Sequence, residues 1–463
     1  MRKMQNGRAT KPSTGESVIV DVTAVNSRGE GVARYGKDHF VLFAAETLPG
    51  ERVQGRVTLV KKNYGILKVE KILEPSPDRR DPKCPWFGIC GGCSFQHADY
   101  DLQCSLKKRS VQDALMKELG PEFPLLVEDC IKSPALWNYR NKASFPVRSA
   151  GKTTLFGFFR RDSHYLVPVD TCPVLQKPLQ EALKELPFMI DLLGWQGYDE
   201  RKHAGFLRHI SLRVTKAEAL SLVFVVREPL KNEKRKDLDR LCDFLRGRKG
   251  SGLPSVFVNV NSKPGNRIFG HKTFHIAGPD CVEERVGNHR LKFGPTSFFQ
   301  VNPFLAERLF ETALSGFDRG KKIVELYSGV GAMTLGLAEK ASHLYACESW
   351  PEAASYLEAN LGENGFPKAR VIPQAAEEAL EAIKPEDCEA LLIDPPRTGC
   401  SVEVRRKILS LRPDRIVYVS CNPATLARDL GTFVAGKYRI LRVVPLDMFP
   451  QTPHVETITF LSL

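Results

Sequence analysis

The sequence predicts a multidomain chain: a small N-terminal β-barrel, a central α+β domain and a C-terminal α/β domain on a largely parallel sheet. Three observations predict it. Residues 16–70 read as short apolar strands separated by glycine turns, a proline-rich connector then enters a cysteine cluster, and strand-like and helix-like segments alternate from about residue 293. At 463 residues the chain exceeds the length at which one hydrophobic core stops growing. The expected domains are 1–76, 77–292 and 293–463.

No uncharged apolar run approaches the length that crosses a bilayer, so a membrane-spanning helix is not expected. The start, MRKMQNGRATKPSTGES, lacks the apolar core of a secretory signal, so the expectation is a soluble, monomeric, cytoplasmic protein. Its 12 cysteines are then expected to stay reduced. The net charge is +13, and it is uneven: the first 293 residues carry 49 basic against 33 acidic side chains, the remainder 18 against 21. A positive field over the N-terminal two thirds suits a polyanionic partner, because neutralised phosphates release counterions.

The barrel strands read SVIVDVTAV, GVARY, HFVLFAA, RVQGRVTLV and YGILKVEKIL, each short and bounded by turn residues. Lys61, Lys62, Asn63 and Tyr64 suit a groove that follows phosphates and stacks a base. The run NSRGEGVARYGKDHFVLFAAETLPGERVQGRV resembles the TRAM domain, an OB-like barrel attached to RNA-modifying enzymes, and the resemblance implies RNA contact.

The connector EPSPDRRDP leads into CPWFGICGGC, in which Cys84, Cys90 and Cys93 are separated by five and then two residues. Thiols so close, with two glycines between the last pair, let the backbone fold tightly round a soft metal centre. A fourth ligand must come from elsewhere. Cys172, in the proline-stiffened VDTCPVL, is the better candidate; Cys104 lies in LQCSLKKRSVQDALMKEL, which reads as an amphipathic helix with a core thiol. Four thiolates suit zinc as well as an iron-sulfur cluster, and spacing leaves that choice open. CPWFGICGGCSFQH followed by DTCPVL resembles the [4Fe-4S] motif of the bacterial 23S rRNA uracil-5-methyltransferase subfamily. That resemblance implies a central iron-sulfur domain with Cys84, Cys90, Cys93 and Cys172 as ligands.

In the rest of the middle, SLVFVVREP and SVFVNVNS read as strands around the basic helical stretch KNEKRKDLDRLCDFLRGRKG, whose charged face is a solvated surface. Trp137-Asn138-Tyr139-Arg140-Asn141-Lys142 is similar to a WxYRNK-type stretch of the same family, and this implies a substrate contact.

Further on, KKIVELYS, HLYACES, ARVIPQ, EALLID, RIVYVS and VETITFLSL read as strands, with GAMTLGLAEK and PEAASYLEANLGENG as helices between them. Ligands of such sheets sit beyond the carboxyl ends of the strands. Glu325-Leu-Tyr-Ser-Gly329-Val-Gly331 occupies the first such end, and Glu348 ends the next strand, where a carboxylate can accept both ribose hydroxyls. The third glycine of the dinucleotide fingerprint is missing, so no pyrophosphate is called for. The turn resembles that of class I methyltransferases, which are Rossmann-like, and Asp394-Pro395-Pro396-Arg397 resembles the D-P-P-type turn that sets an acidic group beside the target base.

Cys421, in VSCNPATLARDL, follows an apolar strand, and a thiol at a strand end is placed as a nucleophile. Carbon 5 of uracil becomes nucleophilic once a group adds at carbon 6, which suits a thiolate. A base must then remove the carbon-5 proton, and Glu456 in His454-Val455-Glu456 is the candidate. SCNPATLARDL and FPQTPHVETITFLSL resemble the signatures of the RNA uracil-5-methyltransferase family. The resemblance implies Cys421 as nucleophile, Glu456 as proton acceptor, and Gln300 in SFFQVN, Tyr327, Glu348 and Asp394 around S-adenosylmethionine. The chain departs from it at Ala332 and Ala375, where relatives often have asparagine.

Among rivals, tRNA methylthiotransferases join a similar barrel to an iron-sulfur cluster, but with C-x3-C-x2-C spacing and a C-terminal barrel. RNA cytosine-5-methyltransferases use a Pro-Cys nucleophile and lack the terminal glutamate, and no flavin fingerprint of the folate-dependent route is found. The expectation is S-adenosylmethionine-dependent methylation of carbon 5 of a uridine. The cysteine cluster and the barrel point to 23S rRNA, with tRNA as the alternative substrate.

Overall fold

The computed structural model describes residues 11–151, 153–247 and 253–463. The first ten residues of the polar N-terminus and residues 248–250 of the basic helical stretch lie outside the described residues. Strands β1 (Ser17–Val25), β2 (Gly31–Tyr35), β3 (Phe40–Ala44), β4 (Arg52–Val60) and β5 (Tyr64–Glu74) close a barrel in the order β1-β2-β3-β5-β4. β1 alternates exposed and buried positions, so Val18, Val20 and Val22 point inward and meet Leu42, Val53, Val57 and Leu67. Lys61, Lys62 and Asn63 form the exposed β4–β5 turn, and the exposed Tyr64 opens β5.

The middle of the chain holds helix α1 (Tyr100–Leu119) and then strands β6 (Lys142–Ala150), β7 (Thr153–Phe159) and β8 (Leu166–Pro168), helix α2 (Lys177–Leu193), strands β9 (Leu207–Val214) and β10 (Leu220–Val226), helix α3 (Asn232–Arg246), and strands β11 (Ser255–Val260) and β12 (Lys272–Ala277). These strands form one sheet, β12-β11-β10-β9-β6-β7-β8. α2 and α3 cover it through Leu179, Leu183, Leu186, Leu238 and Leu241, which share a core with Phe145, Ile210 and Phe224.

Helix α1 does not join that sheet. Its far half, Val111 and Leu115, packs into the core of the C-terminal sheet, and its near half buries Gln103 and Lys107 beside Cys104. The expected amphipathic helix therefore has a buried face that is polar at one end, because that end meets the carbonyl-rich loop 447–451 and not apolar side chains. Cys104 is buried as expected.

Hairpin β13 (Val282–Val286) and β14 (His289–Phe293) precedes α4 (Pro303–Leu314). Next come β15 (Lys322–Leu326), α5 (Thr334–Ala338), β16 (His343–Cys347), α6 (Pro351–Glu363), β17 (Arg370–Ile372), α7 (Ala376–Ala382), β18 (Ala390–Ile393), α8 (Val402–Leu411), β19 (Arg415–Ser420), α9 (Pro423–Ala435), β20 (Arg439–Leu446) and β21 (Glu456–Ser462). The sheet order is β17-β16-β15-β18-β19-β21-β20, parallel from β17 to β19, with β21 antiparallel to both its neighbours. β20 was not anticipated. Packing crosses the expected boundary at 292, since Val282, Leu291 and Phe293 of the hairpin share a core with Leu357 and Leu361 of α6. The strand order reverses between β15 and β18, and the crevice there opens at their carboxyl ends, where ligands of such sheets bind.

Candidate active site

The turn after β15 has positive φ at Tyr327 (62°), Gly329 (58°) and Gly331 (99°). Left-handed backbone at three of five residues turns N–H groups outward, and a Cβ on Gly331 would come within 2.8 Å of Leu357. Gly329 N–H donates to Glu348 Oε2 at 2.9 Å, and Trp350 N–H donates to Glu348 Oε1 at 2.6 Å. The carboxylate beyond β16 is thereby fixed beside the glycine turn. Asn360, which sequence reasoning missed, ties this turn to the hairpin by donating to Val330 O at 2.9 Å and Lys292 O at 2.8 Å.

Tyr327 and Ala375 line one cavity of about 490 Å³ with Ser349, Pro396 and Gly399, along the strand ends. Gln300 is buried between β14 and α4, and its Oε1 has no hydrogen-bond partner. Ala332 packs among apolar side chains.

Cys421 follows β19, and the next residue caps α9: Asn422 Oδ1 accepts from Ala424 N–H at 3.1 Å. Asn422 Nδ2 and Thr425 Oγ1 also donate to Arg397 O, at 3.0 and 3.2 Å, so the cysteine turn and the Asp394–Arg397 turn are held together. Beneath them Asp429 is fully buried and accepts from Tyr418 Oη at 2.6 Å, Cys400 N–H at 2.8 Å and Arg405 Nη1 at 2.6 Å. Nothing in the spacing marks Asp429, because a helix-borne aspartate reads as surface until its partners are known.

Cys421, Glu456, Asp394 and Arg397 act on one another electrostatically. Burial, and then the Glu456 carboxyl, push the Cys421 thiol up to about 11; Arg397 pulls it back and Asp394 pushes it further. Burial, and then Asp394, push the Glu456 carboxyl well above its usual range, against Arg397. Burial brings Asp394 to about 7. Arg397 Nη2 donates to His454 Nδ1 at 3.1 Å, and burial together with that cation brings His454 down to about 4, so its ring is a neutral acceptor. Both the thiol and the carboxyl resist ionisation, and the Arg397 guanidinium favours the anion of either.

Cys84, Cys90, Cys93 and Cys172 line a second cavity, of about 390 Å³, with Arg140, Lys142 and Phe269. Gly91 N–H donates to Phe159 O at 2.9 Å, and a Cβ on Gly91 would meet that oxygen at 2.9 Å. Among the described residues no three His, Cys, Asp or Glu side chains are grouped to hold a single metal ion. Nor, among them, is any helix long and apolar enough to cross a membrane.

A C-terminal sheet of this order, with a glycine turn backed by a strand-end carboxylate, defines a methyltransferase fold. The model of the tRNA (uracil-5-)-methyltransferase family matches residues 99–463. An uncharacterized RNA methyltransferase of Halalkalibacterium halodurans is 35% identical over 464 residues, 99% of each chain. A second, from Gloeobacter violaceus, is 37% identical over 98% of this chain and 99% of its own. The crystal structure of the Pyrococcus abyssi tRNA (uracil-54, C5)-methyltransferase with S-adenosyl-L-homocysteine is similar at a TM-score of 0.74 and 26% identity, over 96% of this chain and 99% of that one. The chain belongs to the RNA uracil-5-methyltransferase family. The likeness to a tRNA enzyme over 96% of the chain takes in the barrel, so the barrel does not by itself mark an rRNA substrate.

Proposed function

We propose that this chain methylates carbon 5 of a uridine in RNA, with Cys421 as transient nucleophile and Glu456 as base. The carrying observation is their place in the sheet: β19 and β21 pair with Ser420 opposite Thr457, which sets Cys421 and Glu456 side by side at the open end, where the carboxyl acts on the thiol. The Cys421 thiolate adds to carbon 6 of the uracil, and the electron pair of the 5,6 double bond moves towards carbon 5 and O4. S-adenosylmethionine, when bound, supplies the electrophilic methyl group that carbon 5 takes. Glu456 then accepts the carbon-5 proton, the C–H electrons restore the double bond, and the C6–S electrons return to Cys421. Glu348, fixed by two backbone N–H groups, and Gln300, whose buried carbonyl lacks a partner, fit a cofactor carrying ribose hydroxyls and an amino group. Tyr327 and Asp394 complete the proposed cofactor set.

The cysteine cavity fits a [4Fe-4S] cluster held by Cys84, Cys90, Cys93 and Cys172. Four thiols line one cavity, and the resemblance of their motif favours an iron-sulfur cluster over zinc there. The proposed methyl transfer needs no electron, so the cluster's part is structural or RNA-positioning.

The resemblance of the cysteine motif favours 23S rRNA; the full-length likeness to a tRNA enzyme supports tRNA as the second reading. Mapping 5-methyluridine in both RNAs from cells with and without the gene separates the two. The chemistry is tested with 5-fluorouridine RNA, because fluorine cannot leave as a cation when Glu456 acts. Wild-type chain should give an adduct that survives denaturing electrophoresis, and Cys421→Ala should give none. Turnover without any trapped adduct, or full activity of Cys421→Ala, overturns the covalent route.

A further inference from the structure

We propose that Gln103 and Gln451 are positioning residues for the base: they anchor the loop that leads into Glu456, the first residue of β21, and so govern elimination more than addition. The inference rests on the reaction proposed above. Between β20 and β21 the chain runs through Asp447–Val455 without regular structure, yet Asp447, Met448, Gln451 and Thr452 are buried. Buried backbone without a ladder must find its hydrogen bonds elsewhere. Here they come from far up the chain. Asp447 N–H donates to Ile131 O at 2.9 Å, Met448 O accepts from Asn302 Nδ2 at 3.2 Å, Phe449 O from Lys107 Nζ at 3.0 Å, and Pro450 O from Tyr139 Oη at 3.0 Å.

Gln451 is the hub. Its carbonyl accepts from Ser94 N–H at 2.9 Å and Phe95 N–H at 3.0 Å, immediately after Cys93. Its N–H donates to Gln103 Oε1 at 2.9 Å, and its Oε1 accepts from Gln103 Nε2 at 3.1 Å. The Gln103 amide also donates to Phe95 O at 3.1 Å and Ala98 O at 3.0 Å, so one side chain binds both strands of the junction. Gln451 has φ of 71°, a left-handed conformation that a residue with a Cβ keeps only where its surroundings impose it. The barrel seals the junction: a Cβ on Gly29, in the β1–β2 turn, would lie 2.8 Å from Ser94 Cβ, 3.1 Å from Phe95 and 3.5 Å from Pro453.

Cys421 is held by the bonds of Asn422 and the Arg397 turn, which meets the loop through Arg397 Nη2 and His454 Nδ1. Glu456, five residues beyond Gln451, pairs with Leu446 at the very end of β20, so loosening Gln451 frays the strand at Glu456 before it disturbs the bonds that hold Cys421. A displacement of about 1 Å costs on the order of 100-fold in a step that needs that group.

The test uses full-length Gln103→Met and Gln451→Met beside Glu456→Gln, with uridine RNA and labelled methyl donor. Expected is a methylated protein–RNA adduct on denaturing gels in all three. The two methionine variants should turn over about 10- to 100-fold more slowly at unchanged KM for RNA. Gln451→Glu, which keeps the oxygen that accepts from Gln103 Nε2, should recover part of the rate and lose part of the adduct. Adduct with Glu456→Gln but none with the methionine variants, or no recovery with Gln451→Glu, overturns the positioning role alone. No adduct with Glu456→Gln overturns the reaction on which it rests, and the inference with it.

Discussion

Lys107 and Asp447 form an ion pair in which neither side chain reaches solvent, joining α1 to the end of β20. Removing one partner leaves the other charge buried and unpaired. Lys107→Met should destabilise the chain by about 3–5 kcal/mol, and Lys107→Met/Asp447→Leu by much less, because no charge is then stranded. Urea midpoints of the three chains check this, and a double variant as unstable as the single one speaks against the pair.

The pH dependence follows from the thiol. With Cys421 pushed up to about 11, the rate of adduct formation should climb about tenfold per pH unit through the neutral range. Arg397→Gln removes the cation that favours the thiolate, so its profile should move to higher pH; rapid-quench rates with 5-fluorouridine RNA measure it.

Stability should run the other way. Burial raises Asp394 to about 7 and Glu325 to about 8, so both are neutral in the fold at low pH. A carboxyl raised in the folded state contributes its full stability below the unfolded value, and that contribution disappears as pH rises through 7 to 8. Glu325→Gln should flatten the fall of Tm between pH 6 and pH 9.

Anaerobically purified chain should contain iron and sulfide at about four each, and Cys172→Ala should lower both. Stoichiometric zinc in colourless protein would contradict the proposed cluster.

At the barrel, Lys61→Ala and Lys62→Ala should each reduce the slope of log K against log salt for RNA by about 0.7–0.9, with cofactor affinity unchanged. Filter binding at several salt concentrations decides it.

The strands were legible because their residues carry the signal locally. KIVEL and RIVYVS are mostly apolar and buried on both faces, as central parallel strands are, and β1 alternates as a barrel strand does. Cys421, Glu348 and Asp394 each follow a strand, and Glu456 begins one, at the open end of the sheet, while the roles expected of them rest on the resemblance of the surrounding motifs. What the sequence conceals is held by contacts between distant segments. Gln103 and Lys107 read as the solvent side of a helix until the loop at 447–451 is laid against them. Asp429 gains its meaning from Tyr418, Cys400 and Arg405 together, and the hairpin at 282–293 reads as central until α6 covers it.

The supports of Gln451 also have an order in time. Gly29, Ser94, Phe95, Gln103, Lys107, Tyr139 and Asn302 are all translated well before Asp447–Glu456. A ribosome emits the cradle first and its occupant afterwards, and folding during synthesis proceeds from the N-terminus. The barrel and the cysteine segment can therefore be in place before Glu456 exists, and the final loop has a finished seat to enter.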